Sequence, residues 1–309
     1  MPVVPPDGVS ALNATVHLLH RAVASTLHIR TEVPEGHPAA RLLGAERMGT
    51  GALIAEGGLV LTAHYVVLGA ASVEVVFPDG LATRAEVVGI DHAVGIALLR
   101  LARGDAPALQ IRSLDEVKPG EEAFLVASVG DGRRASTGMI MAIEPFEAFW
   151  EYRLERTLLF TAEAPGLGGG PLLDRRGRMI GVSSLSILQV GRFTVAIPAS
   201  AAQPAIEAVI REGSFRPARR RAWFGITSYD LRHHVVVAGV LPDSPAERDG
   251  VQPGDVLVAL EGERIETRAG FYERIWQHEG GATLRLEVMR EDQMQNLRVT
   301  TSSMEEYFA

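Results

Sequence analysis

The chain has 309 residues, a formal net charge of −8 at pH 7, 47% hydrophobic residues and no cysteine. This length accommodates two domains with a sizeable buried core. The acidic balance argues against general nucleic-acid binding, and the lack of cysteine excludes disulfides and thiol chemistry.

No run of 18 or more apolar residues occurs, so we expect no membrane span. The first ten residues, MPVVPPDGVS, lack the basic and apolar regions of a signal peptide. We therefore expect a cytoplasmic protein, or a periplasmic one if the sequence is trimmed. No cofactor and no metal are expected.

Residues 10–31 have apolar side chains at helical spacing and predict an amphipathic helix that packs on the first domain. His17 and His20 lie three residues apart on this helix and are of a type that holds metal ions. Because no acidic or sulfur partner lies nearby, we expect a structural or solvated pair. The apolar positions are Leu12, Val16, Leu19, Val23 and Leu27.

From about residue 48 the sequence shows short apolar runs with turn signals every eight to twelve residues. Val73, Val75 and Phe77 alternate, residues 78–80 form a Pro-Asp-Gly turn, and residues 85–88 return as the second strand of a hairpin. This pattern is typical of an all-β sandwich or barrel. Further predicted strands cover residues 96–101, 123–129, 139–143, 158–161 and 193–197.

A glycine-rich turn lies in residues 161–184, TAEAPGLGGGPLLDRRGRMIGVSS. Its glycines expose backbone N–H groups because no Cβ restricts the backbone. A dinucleotide-binding loop is excluded because Pro171 occupies the sixth position, where that motif has glycine. A phosphate-binding P-loop is excluded because its lysine is missing. The nucleophile turn of a trypsin-like protease is the remaining interpretation.

Residues 213–221, GSFRPARRR, predict a linker, and residues 222–302 predict a second unit. The linker's arginine cluster is either a solvated face or an anion site at the entrance of the second unit. Within that unit we expect strands at residues 235–240, 255–260 and 284–288, and a helix over residues 268–278. The arginines are Arg216, Arg219, Arg220 and Arg221.

Two segments resemble one protein family. Residues 161–184 resemble the GNSGGPLLN…G.VIGI segment of HtrA-type serine proteases, and residues 241–255 resemble the SPA..AG[LI].PGD segment of PDZ domains. The resemblance implies a mainly β fold, with two packed trypsin-like barrels and a site between them, followed by an α+β PDZ domain. The implied boundaries are an N-terminal helical segment at 1–45, a degenerate protease domain at 46–212, a linker at 213–221, a PDZ domain at 222–302 and a tail at 303–309.

The three catalytic positions implied by this family carry other residues here. Tyr65 aligns with the histidine, Gly95 with the aspartate and Gly168 with the serine. His64 precedes the histidine position by one residue, a helical rotation of about 100°, although a compensating insertion and deletion would restore its register. Removing such residues costs on the order of 10⁴ to 10⁶ in turnover. We therefore expect no catalytic residues and a protein that is not an enzyme.

The same family implies backbone groups for binding. The N–H groups of Gly166 and Gly168 are expected to form a nest like an oxyanion hole. Serines 183, 184 and 186 follow the turn, and we expect them to make ordinary backbone hydrogen bonds.

PDZ domains bind a partner's C-terminal tail as an added strand and hold its carboxylate with loop N–H groups. Trp223-Phe224-Gly225-Ile226 resembles their carboxylate loop, and Arg220 or Arg221 would add positive charge. Phe271, Ile275 and Tyr272 are expected either to line the slot for the last side chain or to pack in the core.

We therefore expect an inactive, peptide-binding scaffold, regulator or chaperone-like factor whose partners are peptides or protein C-termini. One alternative is an active serine-type endopeptidase that uses a non-standard arrangement with His64. A second alternative is a structural subunit of a homotrimer or of an assembly with an HtrA-type relative. The aromatic segment FEAFWEYRLER, residues 146–156, is a candidate contact surface for assembly or a part of the core.

Overall fold

The computed structural model describes residues 17–102, 106–130, 132–187 and 193–309. Contacts divide the chain into two units. The first unit consists of Met1–Glu144 with Arg156–Arg216, and the second of Pro145–Glu155 with Pro217–Ala309. The mainly β architecture predicted from the sequence is confirmed.

The first unit begins with helix α1 (17–24) and a closed six-stranded barrel. Its spatial strand order is β1-β2-β3-β6-β5-β4, and every neighbouring pair is antiparallel. Short helices α2 (Pro38–Leu43) and α3 (His64–Val67) are inserted between the strands. The strands are β1 Thr26–Glu32, β2 Glu46–Ala55, β3 Leu59–Ala63, β4 Ser72–Val76, β5 Ala82–Asp91 and β6 Ile96–Leu101.

The prediction of one helix over residues 10–31 is wrong beyond residue 24. Thr26–Glu32 is β1, which pairs with both β2 and β4. Leu27 and Ile29 are fully buried in the barrel, while Arg30 is exposed. Leu27 fits helical and alternating spacing equally well, and barrel closure selects the strand. The predicted positions Leu12 and Val16 lie outside the described residues.

The second barrel follows a short 3₁₀ turn (Leu114–Glu116) and has the spatial order β10-β11-β12-β9-β8-β7. Its interior is filled by aliphatic and aromatic side chains, among them Leu125, Ile140, Phe160 and Leu172. The predicted strands at 123–129, 139–143, 158–161 and 193–197 correspond to four of its strands. The strands are β7 Glu122–Val129, β8 Gly132–Glu147, β9 Arg153–Phe160, β10 Pro171–Asp174, β11 Met179–Ile187 and β12 Phe193–Pro198.

A 3₁₀ turn (Ala199–Ala202) and helix α4 (Gln203–Glu212) complete the first unit. Ala205, Ile206 and Val209 form the buried face of α4. The helix ends at Gly213, whose left-handed backbone closes it with a hydrogen bond to the carbonyl of Val209. The sequence pattern predicts no helix at these residues.

The second unit is a sheet of order β13-β14-β15-β17-β18, with the short β16 paired to β15. Its core contains Phe224, Phe271, Tyr272 and Leu286. The expected helix over 268–278 is present as α6, which ends at Ile275. The elements are β13 Ile226–Leu231, β14 His234–Val240, α5 Pro245–Arg248, β15 Val256–Leu260, β16 Glu263–Arg264, α6 Arg268–Ile275, β17 Thr283–Arg290, β18 Gln293–Thr300 and α7 Met304–Tyr307.

Among the described residues, none of the helices combines the length and the apolar character needed to cross a membrane.

Candidate functional site

The glycine-rich turn joins β9 to β10 and is fixed by backbone hydrogen bonds. The N–H of Leu167 donates to Ser128 O at 3.0 Å, and the N–H of Gly169 donates to Ser183 O at 2.7 Å. Gly170 N–H donates to the Ser183 hydroxyl at 2.9 Å, which is the ordinary structural role expected for this serine. The nest predicted from the N–H groups of Gly166 and Gly168 stays a prediction.

Tyr65 fills the space that a side chain at position 168 would need. A Cβ placed on Gly168 would lie 1.9 Å from Tyr65 Oη. This hydroxyl donates to Ser184 O at 2.8 Å. Burial raises the pKa of Tyr65 to about 12, so the phenol stays protonated and acts as a donor at neutral pH. The Tyr65 side chain therefore packs at this position only because residue 168 is glycine.

Arg47 on β2 fixes the short helix that carries Tyr65. Its guanidinium donates to Tyr65 O at 2.6 Å, within α3, and also to Leu68 O, directly after the last residue of α3. The last four carbonyls of a helix have no partner within it, and a cation beside them satisfies such groups. Burial lowers the pKa of Arg47. Arg47 thus fixes the backbone of Tyr65, and this positions the phenol at the glycine-rich turn.

His64 lies against His92, with ring centroids 5.7 Å apart and rings nearly perpendicular. Burial lowers the pKa of His64 to about 4, and a hydrogen bond with the Gly95 backbone only partly opposes this effect. Burial also lowers the pKa of His92 to about 3, and the neighbouring His64 contributes. Both imidazoles are therefore neutral at pH 7.

The other positions in this region have local structural partners. Gly95 has a left-handed backbone with φ of 87°, and its N–H donates to Asp91 O at 2.7 Å. The Asp91 carboxylate accepts from Val94 N–H at 3.0 Å within the same β5–β6 turn. Neither residue supplies a carboxylate to His64 in these contacts.

A buried cluster of hydroxyls and an imidazole lies beside the glycine-rich turn, and sequence reasoning missed it. Ser128 Oγ is 3.0 Å from His28 Nδ1 and 3.0 Å from Thr50 Oγ1. Thr50 donates its hydroxyl to Leu167 O at 2.7 Å, and the Ser128 hydroxyl also contacts Gly49 O at 3.2 Å. His28, Thr50 and Ser128 are all buried. The three residues lie on different strands, so no local motif identifies them.

The predicted peptide-binding residues of the second unit fall into two groups. Phe224, Phe271 and Ile275 are buried in the core, with the two phenylalanine rings 5.8 Å apart. Trp223 packs its ring 4.6 Å from that of Tyr307, which lies in the predicted tail. Their assignment to a peptide slot stays a prediction.

The loop from Trp223 to Ile226 nevertheless converges on a carboxylate. Glu151 Oε1 accepts from Phe224 N–H at 2.8 Å, and its Oε2 accepts from Gly225 N–H at 2.7 Å and Ile226 N–H at 3.1 Å. Gly225 has φ of 85°, and a Cβ there would lie 2.4 Å from Ser244 Cβ. The loop therefore needs glycine to aim its N–H groups at one anion.

Glu151 was also missed by sequence reasoning. Its side chain is buried, and burial raises its pKa to about 7 although the three N–H groups act in the opposite direction. The aromatic segment around it was singled out, but its carboxylate was not. Arg221, the predicted source of positive charge, instead lies 4.9 Å above the ring of Trp276.

No group of three metal-ligating side chains occurs within the part of the chain that the structure describes. His17 and His20 lie on α1, and the described part of the chain supplies no third ligand beside them.

Comparison with known proteins finds two domains. A family model for a trypsin-like peptidase domain matches residues 49–182, and one for a PDZ domain matches residues 222–301. A probable periplasmic serine endoprotease DegP-like of Halomonas elongata is 27% identical over 82% of this chain and 56% of its own length. A putative serine protease HhoB of Synechocystis is 26% identical over 81% of this chain and 65% of its own length. The chain spans little more than half the length of the DegP-like relatives.

Solved structures agree with this fold. An HtrA-type protease AlgW with decapeptide is 23% identical, with a TM-score of 0.57 over 94% of this chain and 98% of that one. A serine endoprotease from Yersinia pestis is 20% identical, with a TM-score of 0.56 over 98% and 99% of the two chains. At these identities the structures establish the fold alone.

Two sequence-based expectations need correction. The expectation that the chain is not an enzyme is contradicted, because its relatives are named serine endoproteases or serine proteases. Replacement of three side chains leaves other groups near the turn, such as Ser128 and His28. The expected cytoplasmic location is not supported, since the DegP-like relatives are named periplasmic.

Proposed function

Since the chain joins a trypsin-like peptidase domain to a PDZ domain in the HtrA/DegP manner, we propose that it recognises peptides by their C-terminal carboxylates through the PDZ unit. The observation that carries this proposal is the convergence of three backbone N–H groups, from Phe224, Gly225 and Ile226, on one carboxylate. The similarity of the chain to DegP-like relatives that are named periplasmic supports a periplasmic location. Assembly as a homotrimer or with an HtrA-type relative stays a prediction of the resemblance.

A titration of the full-length chain with labelled decapeptides tests this recognition. We expect saturable binding of peptides that end in an apolar residue with a free carboxylate. Amidating the same peptides removes the charge-assisted hydrogen bonds and is expected to weaken binding by tenfold or more. Equal binding of acids and amides would contradict the assignment of the loop.

Peptide-bond hydrolysis is the second part of the proposal, and the names of the relatives support it. Gly168 offers no hydroxyl, so the nucleophile has to come from another residue. Ser128 lies within hydrogen-bond distance of an imidazole, His28, and next to the glycine-rich turn. In this arrangement Ser128 Oγ attacks the peptide carbonyl and His28 Nδ1 takes its proton. The imidazolium then gives that proton to the leaving amine as the C–N bond breaks. Water, deprotonated by His28, hydrolyses the acyl-enzyme and releases the free Ser128 hydroxyl.

Both side chains are buried, so a substrate reaches them only when the glycine-rich turn moves aside. We expect slow turnover of casein and labelling by a fluorophosphonate probe, both lost in Ser128→Ala and in His28→Ala. Ser186→Ala, which alters an exposed serine on β11, is the matched control and is expected to keep both. Turnover that survives in Ser128→Ala would exclude this nucleophile, and no turnover by the wild-type chain would exclude hydrolysis.

A further inference from the structure

The segment Pro145–Glu155 comprises the end of β8, the turn that follows it and the start of β9, and it belongs to the second unit. Its tip is a tight turn in which Ala148 N–H donates to Tyr152 O at 3.0 Å. The residues before Glu151 then run antiparallel to β13. Trp150 forms an isolated antiparallel bridge with Thr227, and Ser228 N–H donates to Phe149 O at 2.7 Å.

This placement reproduces the two elements of peptide binding by sheet extension. β13 stands at the end of the sheet order, so its outer edge accepts an added strand. Phe149 and Trp150 supply that strand. Glu151 then places its two carboxylate oxygens on the N–H groups of the loop that precedes β13. A side-chain carboxylate takes the position that a chain end would otherwise take.

Side chains of α6 also hold the segment. Tyr272 donates its hydroxyl to Ala148 O at 3.1 Å, and Arg268 pairs with Glu147 at 3.2 Å. Arg153 pairs with Glu273, whose side chain is 58% exposed. In both pairs the arginine is mostly buried, with 14% of the Arg153 side chain and 16% of the Arg268 side chain exposed. Hydrogen bonds and ion pairs from α6 therefore add to the backbone contacts with β13.

A glutamate at position 151 indicates that the loop is a binding site for a carboxylate. Glu151 is 3% exposed, and within the described residues its hydrogen bonds come from three N–H groups, with no arginine or lysine pairing with it. Burying a carboxylate without a cation is costly. An uncharged side chain would attach the segment without that cost. The three N–H groups of the loop favour a carboxylate, and this explains why residue 151 is a glutamate.

We propose that Ala148–Glu151 is an internal ligand of the PDZ groove that competes with the C-terminal carboxylate of incoming peptides. The identity of the competing peptide end rests on the proposed function, whereas the docking of the segment does not. Because the segment is tethered, it acts at a high effective concentration and lowers the apparent affinity for external peptides. In sequence, the segment connects β8 to β9.

The test compares the full-length wild type with Glu151→Gln and with a control, Glu155→Gln. Glu155 lies in the same segment, but its side chain is 75% exposed and forms an ion pair with Arg153. Hydrogen exchange is followed at the amides of Phe224, Gly225 and Ile226. Affinity is measured with a decapeptide library of random sequence and free carboxylate, and with the same library amidated.

We expect Glu151→Gln to accelerate exchange at the three amides at least tenfold and to tighten binding of the carboxylate library at least tenfold. Glu155→Gln is expected to match the wild type in both measurements. Glu151→Asp keeps the charge but is one methylene shorter, so we expect exchange rates and affinities between those of the wild type and Glu151→Gln. This variant replaces Glu151→Gln in the test if the glutamine variant folds poorly.

Unchanged amide exchange in both Glu151 variants overturns the internal ligand. Equal peptide affinities in the wild type and Glu151→Gln overturn the competition. Binding of no peptide by any variant, with faster exchange in Glu151→Gln, rejects the proposed recognition function but leaves the docked segment established.

Discussion

Replacing Gly168 by alanine is expected to lower the unfolding free energy of the first unit by about 3 kcal/mol. The added methyl would lie 1.9 Å from Tyr65 Oη. Relief requires the tyrosine to move and to lose its hydrogen bond to Ser184 O. Overpacking typically costs about 1–3 kcal/mol, and a lost hydrogen bond adds about 1 kcal/mol. Far-UV circular dichroism during chemical denaturation measures the effect.

The tryptophans provide an internal reference for this measurement. Trp150, Trp223 and Trp276 all lie in the second unit, so tryptophan fluorescence follows that unit's unfolding. We expect its midpoint to stay unchanged in the Gly168→Ala variant.

A double-mutant cycle isolates the contact. Tyr65→Phe removes the hydroxyl and is expected to cost about 1 kcal/mol by itself. In that background the nearest atom to the new methyl is the ring carbon Cζ, at 3.2 Å, which a small shift accommodates. Adding Gly168→Ala to Tyr65→Phe should therefore cost much less than in the wild type, with a coupling of about 1–2 kcal/mol. Additive costs would show that the phenol does not occupy the missing side chain's space.

The mainly β fold was predictable because alternating apolar residues and Gly, Pro and Asp turns are local signals. The hairpin around Pro78-Asp79-Gly80 is one example, since β4 and β5 pair on either side of it. Leu27 shows the limit of such signals. It satisfied both helical and strand spacing, and only its pairing with β2 resolved the ambiguity. The division into two barrels and a PDZ domain came from the family resemblance.

The sites were less predictable because their contacts join distant parts of the chain. The positions Tyr65, Gly95 and Gly168 were located from a motif, yet the motif says nothing about where the phenol points. Glu151 lies in a turn whose aromatic composition was unusual. Its partners are backbone N–H groups, which leave no trace in the sequence. Only the fold brings that carboxylate to Gly225.

Acidification is expected to destabilise the first unit through His64 and His92. Their pKa values in the folded chain are about 4 and about 3, below the ordinary value of 6.5. Between pH 6.5 and 4 the unfolded chain binds protons at these residues and the folded chain does not, so stability falls as pH falls. Each pKa unit corresponds to about 1.4 kcal/mol. Because His64 is only partly buried as a whole residue, we expect a loss of about 3 kcal/mol for the pair.

The variant His92→Gln tests this assignment, because it removes one of the two titrating groups. Its unfolding free energy, measured by circular dichroism from pH 7 to pH 4, is expected to fall by about half as much as that of the wild type. His234→Gln, at an exposed position in the second unit, is expected to leave the pH dependence unchanged. Parallel curves for the wild type and His92→Gln would assign the acid sensitivity to carboxylates instead. A reduced slope would show that burial keeps the His92 imidazole neutral in the folded chain and that His92 supplies part of the acid sensitivity of the first unit.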